Sequence, residues 1–225
     1  ADNNGEQDLF ISNGYYKNIH FKDTWKEFNH KMMEEPNMEK RRKMARDYCK
    51  ARNQLKVENQ FYINNGDLSF KEDSKASGIG NRVTLSSGAA YADFDNDGDL
   101  DMVVSNIDEP ASLYKNLEQE EKNDNHYLRV KFANSKKMHS FGTKVVAETD
   151  KLTQYREFNT VRGYQSSVEP ILHFGLGSSK TVKKLTIQWL DGKCQVLDNV
   201  KTDQVWHINY DDAPPNNDCI KRPVN

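Results

Sequence analysis

Between residues 93 and 101 the chain reads Asp-Phe-Asp-Asn-Asp-Gly-Asp-Leu-Asp, with an acidic side chain at every second position around one glycine. Carboxylates crowded this closely repel one another unless a positive charge lies among them. Oxygen donors on a short flexible loop suit a hard cation, and Ca²⁺ takes roughly six to eight of them. The spacing predicts Asp93, Asp95, Asp97 and Asp101 as side-chain ligands, with Asp99 offering its backbone carbonyl. Gly98 then permits a sharp turn that a residue with a Cβ would resist. A solvated acidic turn is the competing reading. The alternation, the glycine and the closing Asp together favour a metal.

The elements around this loop follow from what flanks it. An EF-hand loop opens the same way, but it closes on a bidentate Glu at about the twelfth position and lies between helices. Here the twelfth residue from Asp93 is Val104, which has no donor, and the closing carboxylate is Asp101. Met102-Val103-Val104-Ser105-Asn106 follows as a β-prone run, and Gly88-Ala89-Ala90-Tyr91-Ala92 precedes without helical period. The loop is therefore predicted between strands. A second copy opens the chain: Asp2 to Asn13 aligns with Asp95 to Asn106 without a gap. The counterpart of Asp93 would fall before Ala1, so the sequence looks like a piece of a longer chain. Asp2, Asn4, Glu6 and Asp8 form a second, weaker ligand set, with Asn4 in place of Asp97. Filled and empty states of this first loop fit equally well.

A further repeated element supports the first. Tyr16-Lys17-Asn18, Tyr62-Ile63-Asn64 and Tyr114-Lys115-Asn116 share one pattern, and Asn65-Gly66 adds a hairpin signal. Such repeats dictate architecture, and aromatic strands punctuated by these turns suit propeller blades. The loop, its lead-in from Ser86 to Asp93 and the Tyr-x-Asn units resemble VCBS/FG-GAP repeats of the integrin propeller type. The next region resembles the ASPIC/UnbV domain. The matching stretches are His126-Tyr127-Leu128-Arg129-Val130, Gly142-Thr143-Lys144-Val145, Arg162 to Ser167, Leu172 to Gly177 and Leu185 to Lys193. The resemblance implies an extracellular protein of the cartilage-acidic-protein type, from a bacterial source, in keeping with the lack of any Asn-x-Ser/Thr sequon. It leaves residues 24–59 uncovered.

Composition limits the function classes. Lys plus Arg total 32 against 34 Asp plus Glu, a formal charge of −2, which argues against nucleic acid as partner. No stretch approaches the ~20 apolar residues of a membrane span. Cys49, Cys194 and Cys219 are odd in number and far apart. A single disulfide is open to them, but Cys49 falls in a predicted helix and Cys219 in a predicted tail, so free thiols are favoured. There is no Gly-x-Ser-x-Gly elbow and no His-Glu-x-x-His, and the chain is read as a non-enzyme. His173, between Leu172 and Phe174, reads as structural.

Residues 37–48 are rich in helix formers and predict one helix inside an insertion spanning about 24–59. Its apolar side should lie on the propeller, with a partner-binding helix as the sharper alternative. From 123 to 211, Leu128, Val130 and Phe132 alternate with polar residues, as do Leu185, Ile187 and Trp189. The expected fold is mainly β. Propeller-type blades occupy 1–122, an antiparallel β-sandwich 123–211, and a linker or tail 212–225. The polar run 115–126 reads as an exposed connection that few contacts cross. Arg162, Tyr164 and Gln165 sit on a Gly-led turn that could face a ligand, though a turn satisfying its own backbone is the plainer reading. The resulting expectation is an extracytoplasmic binding, adhesion or scaffold module with structural calcium and a protein or glycan partner. The rival is a carbohydrate-active enzyme or its glycan-binding accessory part, for which Trp25, Trp189 and Trp206 would be sugar platforms.

Overall fold

A computed structural model of the chain describes residues 1–14, 22–50, 56–118, 124–133, 139–214 and 219. The Tyr16-Lys17-Asn18 unit, the middle of the 115–126 connection and most of the C-terminal tail lie outside these residues.

The fold is mainly β. Its first part holds strands β1 (Leu9–Ile11), β2 (Val57–Glu58), β3 (Gln60–Asn64), β4 (Phe70–Glu72), β5 (Val83–Thr84), β6 (Ser86–Ala92), β7 (Asp101–Asn106) and β8 (Ser112–Tyr114). They form three small antiparallel sheets, ordered β1-β3-β4, β2-β5 and β6-β7-β8. These are the blade-like units expected of the repeat. Each Asp-rich loop runs into a strand, the first into β1 and the second into β7, as the alignment of the two copies requires.

Two helices interrupt this part, α1 (Lys22–Glu34) and α2 (Met38–Lys50). The predicted helix is α2, which Asn37 caps by accepting from the Glu39 and Lys40 amides. α1 was not anticipated. The expected seat of the apolar side on the propeller is also corrected, because Tyr48 of α2 stacks on Phe28 of α1 instead, with the Trp25 ring tilted against it. Two aromatics one helical turn apart meet a third across a short turn, a contact between large apolar rings.

The second part is a sandwich. Its strands are β9 (His126–Phe132), β10 (Lys144–Glu148), β11 (Thr153–Glu157), β12 (Leu172–Gly177), β13 (Thr181–Gln188), β14 (Cys194–Lys201) and β15 (Gln204–Ile208). One sheet is ordered β11-β10-β13-β14 and the other β12-β9-β15. Leu128, Val130, Val145, Leu172, Phe174, Leu185, Ile187 and Trp189 meet in a single buried cluster between them. At ~25 cal/mol per Å² of buried apolar surface, this cluster is the main cohesive term of that part. One pairing departs from the expected antiparallel pattern: β15 lies parallel to β9. Cys194 is joined to Cys219 in a disulfide with Cα atoms 5.9 Å apart, which corrects the expectation of free thiols. The tail carries Cys219 back to β14, a return that sequence spacing does not reveal.

Candidate functional site

Alternation along β9 and β12 places Tyr127, Arg129, His173 and Gly175 on the sheet face turned away from the core. In register, Arg129 stands opposite His173 and Tyr127 opposite Gly175. This face is covered by the two Asp-rich loops. From the first loop, Asn3 lies against Gly175, where an added Cβ would come within 2.7 Å of the Asn3 backbone. The Asn3 carbonyl accepts from the Gly177 amide at 2.8 Å, and the Asn3 side-chain oxygen takes a 2.7 Å bond from His173 Nε2. From the second loop, Gly98 lies on the Tyr127 ring so closely that a Cβ there would fall 1.9 Å from Cε1. Asn3 Nδ2 also donates to the Gly98 carbonyl and to Asp99 Oδ1, which ties the two loops together. Many contacts thus cross between the two parts, where few were expected.

Within the second loop, carboxylate oxygens of Asp93, Asp95 and Asp97 lie within 4.8 Å of one another. Among the described residues no other group of three or more His, Cys, Asp or Glu side chains meets this closely. Asp93 is buried, and its oxygens accept from the Asp97 and Gly98 amides at 3.1 Å and from Arg129 at 2.7 Å. Asp97 Oδ1 accepts from the Asp99 amide at 2.9 Å. Partial desolvation pushes the Asp97 carboxyl above the ordinary aspartate range, and the charges of Asp95, Asp93 and Asp101 push it further. Asp95 is pulled the other way by its hydrogen bond to Lys115, 3.0 Å away. The loop therefore holds more negative charge than its neighbours neutralise, on oxygen donors alone, and that donor set fits a hard divalent cation.

The remaining sequence-predicted ligands are placed differently. The Asp101 carboxylate closes the loop by accepting from the Phe94 amide at 3.1 Å and the Asn116 amide at 2.8 Å. Asp99 is fully buried, with its side chain on Asn3. In the first loop, Asp2 accepts from both nitrogens of Asn4, Asn4 Oδ1 from the Glu6 amide, and Asp8 from the Asn64 amide. Asp2, Asn4 and Asp8 thus each accept from a backbone amide, and Glu6 enters the turn through its own amide.

Arg162, Tyr164 and Gln165 occupy a hairpin turn whose ends pair at Val161 and Ser167. The Arg162 amide donates to the Ser166 carbonyl, and the Arg162 side chain donates to the Val161 carbonyl. This turn and strands β6 and β7 line a cleft of about 380 Å³, with Tyr164 two-thirds exposed at 67%. Arg129 was missed as a site residue, because an arginine alternating with apolar neighbours reads as solvent-facing. His173, read from sequence as structural, lies under the first loop on Asn3, and burial, with Arg129 beside it, pulls the imidazole down to about 3.

Residues 50–104 match the model of the FG-GAP-like repeat, and residues 133–215 match that of ASPIC and UnbV. Two separate regions of the chain are thus similar to these two families. Cartilage acidic protein 1 of Xenopus tropicalis is 31% identical over 143 residues, covering 61% of this chain and 21% of that protein. The Homo sapiens protein of the same name is 29% identical over 138 residues, again 61% and 21%. The Mus musculus protein is 32% identical over 107 residues, 47% and 16%. The chain spans about a fifth of the length of these relatives. The FG-GAP-like match includes Asp93, Asp95 and Asp97, and the ASPIC/UnbV match includes His173, so the docked face lies where the two regions meet.

Proposed function

We propose that this chain is a calcium-stabilised interaction module that works outside the cytoplasm. The observation that carries the reading is the convergence of Asp93, Asp95 and Asp97 within 4.8 Å on a loop whose twin takes the same course with fewer acids. Asp93, Asp95 and Asp97 would hold the ion by their side chains, joined by Asp101 and the Asp99 carbonyl. The first loop, with Asp2, Asn4, Glu6 and Asp8, is a weaker site. Calcium supplies charge neutralisation there and has no part in activating water.

Three features support the rest of the reading. The Cys194–Cys219 disulfide suits an oxidising compartment. Among the described residues no helix is long and apolar enough to cross a membrane. The cleft between the 161–167 turn and β6–β7 is lined mostly by Ser, Ala and Gly, with Arg162 beside it and Tyr164 and Gln165 on its rim. That lining suits an extended peptide, so a protein partner is favoured. Trp189 is closed into the core, which removes it as a sugar platform. We divide the chain into a propeller-type part at 1–122, a sandwich at 123–211 and a tail at 212–225. Titrating calcium chloride into the metal-free protein by calorimetry tests the reading. Heat at about one ion per chain, absent from Asp97→Ala, supports it; no heat at millimolar calcium removes it.

A further inference from the structure

Arg129 stands on the outer face of the β9–β12 pair with its side chain only 3% exposed. NH1 donates to Asp93 Oδ2 at 2.7 Å, and NH2 donates to both oxygens of Glu169 at 2.6 and 2.7 Å. Glu169 Oε1 in turn accepts from the Asp93 backbone amide at 3.3 Å. One buried guanidinium thus faces two carboxylates, one of which belongs to the Asp-rich loop. A buried acid without such a partner would lose its charge or open the site to water.

The bonds on Asp93 are unequal. Oδ2 accepts from Arg129 and from the Gly98 amide, whereas Oδ1 accepts only from the Asp97 amide. Each carboxylate oxygen offers about two lone pairs. Oδ2 is therefore filled, and Oδ1 keeps one lone pair for another partner. We propose that Arg129 is a positioning residue and resident counter-cation of the loop. It anchors Asp93 through Oδ2, presents Oδ1 alone to a bound ion, and holds the loop on the sandwich when no ion is there. The proposal rests on the calcium reading of the loop. Arg129 and the ion act on one carboxylate through different oxygens, so each covers for loss of the other. Conservative exchange to lysine keeps the charge and loses the fork that joins Asp93 to Glu169.

Hydrogen exchange on the intact chain, with and without calcium chloride, tests this in wild type, Arg129→Gln and Arg129→Lys. In metal-free Arg129→Gln, protection of the Asp97 and Gly98 amides should fall at least ~10-fold, while amides of β13 and β14 hold theirs. Millimolar calcium should restore most of the loss, and Arg129→Lys should lose less. Wild-type protection in the metal-free Gln variant overturns the proposal. So does a loss that calcium fails to restore when calorimetry shows wild type binding the ion. A wild type that gives no heat with calcium removes the calcium reading, and the Gln loss with partial Lys rescue then decides the role of Arg129 by itself. If Arg129→Gln does not fold, Glu169→Gln decides the matter. Arg129 then serves Asp93 alone, so the rise in melting temperature on adding calcium should be smaller than in wild type. An equal or larger rise overturns the proposal.

Discussion

Residues 2–8 and 95–101 follow the same course with different side chains. Asn3 and Gly5 have φ of 57° and 103°, and their counterparts Asn96 and Gly98 have 62° and 99°. The Glu6 amide donates to Asn4 as the Asp99 amide donates to Asp97. Asp8 accepts from the Asn64 amide as Asp101 accepts from the Asn116 amide, so each loop is closed by the Asn of a Tyr-x-Asn unit. That is the physical meaning of the repeat: the terminal aspartate of each loop caps the strand end beside it. Asn and Gly at left-handed positions, with side chain-to-backbone turns, are enough to build such a loop. The first copy does so with Asn4 where the second has Asp97, and it spends Asn3 on docking to His173. Acidity beyond that need is surplus to the backbone, and surplus charge is what a cation would use.

The sharpest break between the copies should come at their glycines. A Cβ at Gly98 would lie 1.9 Å from Tyr127 Cε1, whereas at Gly5 the nearest atom is Leu152 Cδ2 at 3.1 Å. Both backbones are left-handed, which costs about 1–2 kcal/mol for a residue with a Cβ. Gly98→Ala adds overpacking against a ring held in place, so its total should reach ~3 kcal/mol or more. Gly5→Ala should stay near ~1–2 kcal/mol. Urea unfolding of both variants measures the difference, and equal losses would show that the Tyr127 contact is slack.

Calcium should separate the copies next. A ligand bound only to the folded state stabilises it by RT ln(1 + [L]/Kd), ~2.7 kcal/mol at a hundredfold excess over Kd. Asp97→Ala should abolish most of the calcium-dependent rise in melting temperature, and Asn4→Ala should leave most of it in place. The opposite result in thermal scans would move the principal site to the first loop.

Much of this was legible from residue spacing, and the failures have physical causes. Alternation at Leu128, Val130 and Phe132 and at Leu185 and Ile187 marked the core faces of β9 and β13, because one buried face imposes a period of two. The same alternation misplaced Arg129, since a sequence pattern cannot show that a distant loop will cover the outer face. The Asp-rich loop was readable because its donors are consecutive. Its partners Arg129, Glu169 and Tyr127 come from strands and turns far along the chain, and only the fold collects them. The β9–β15 pairing and the Cys194–Cys219 bond were hidden for the same reason. α1 was missed because its apolar stripe is short, and it becomes intelligible only against Tyr48 of α2.

His173 gives a smaller effect confined to the first loop. Burial first, and the Arg129 charge second, lower its pKa from 6.5 to about 3. The unfolded chain therefore binds a proton at this residue between those values and the folded chain does not. Stability from this group is present above 6.5 and is lost as pH falls toward 3, by about 1.4 kcal/mol per pH unit. In His173→Gln the amide does not titrate, so the acid branch of the stability curve should flatten by that slope. Unfolding free energies at pH 5.5 and 4.5, taken in chelator, measure it. An unchanged slope would mean that the ring is already solvated in the folded protein.

The smallest contrast lies at the two closing aspartates. Asp101 is buried and uses both oxygens, one on the Phe94 amide and one on the Asn116 amide. Asparagine there must turn its NH₂ toward one of those N–H donors, which leaves a buried donor unpaired at a cost of about 1–3 kcal/mol. Asp8 also uses both oxygens, Oδ1 on the Asn64 amide and Oδ2 on the exposed Ala1 ammonium group. Asparagine at that position can keep its oxygen on Asn64 and gives up only the contact to an ammonium group that water can solvate, so the loss should stay within ~0.5–1 kcal/mol. Both variants belong in chelator, so that the capping bond is measured apart from any ion. A larger loss for Asp8→Asn than for Asp101→Asn would show that the first loop carries more of the fold than its exposure suggests, and the second loop's closing carboxylate would then be there chiefly for the metal.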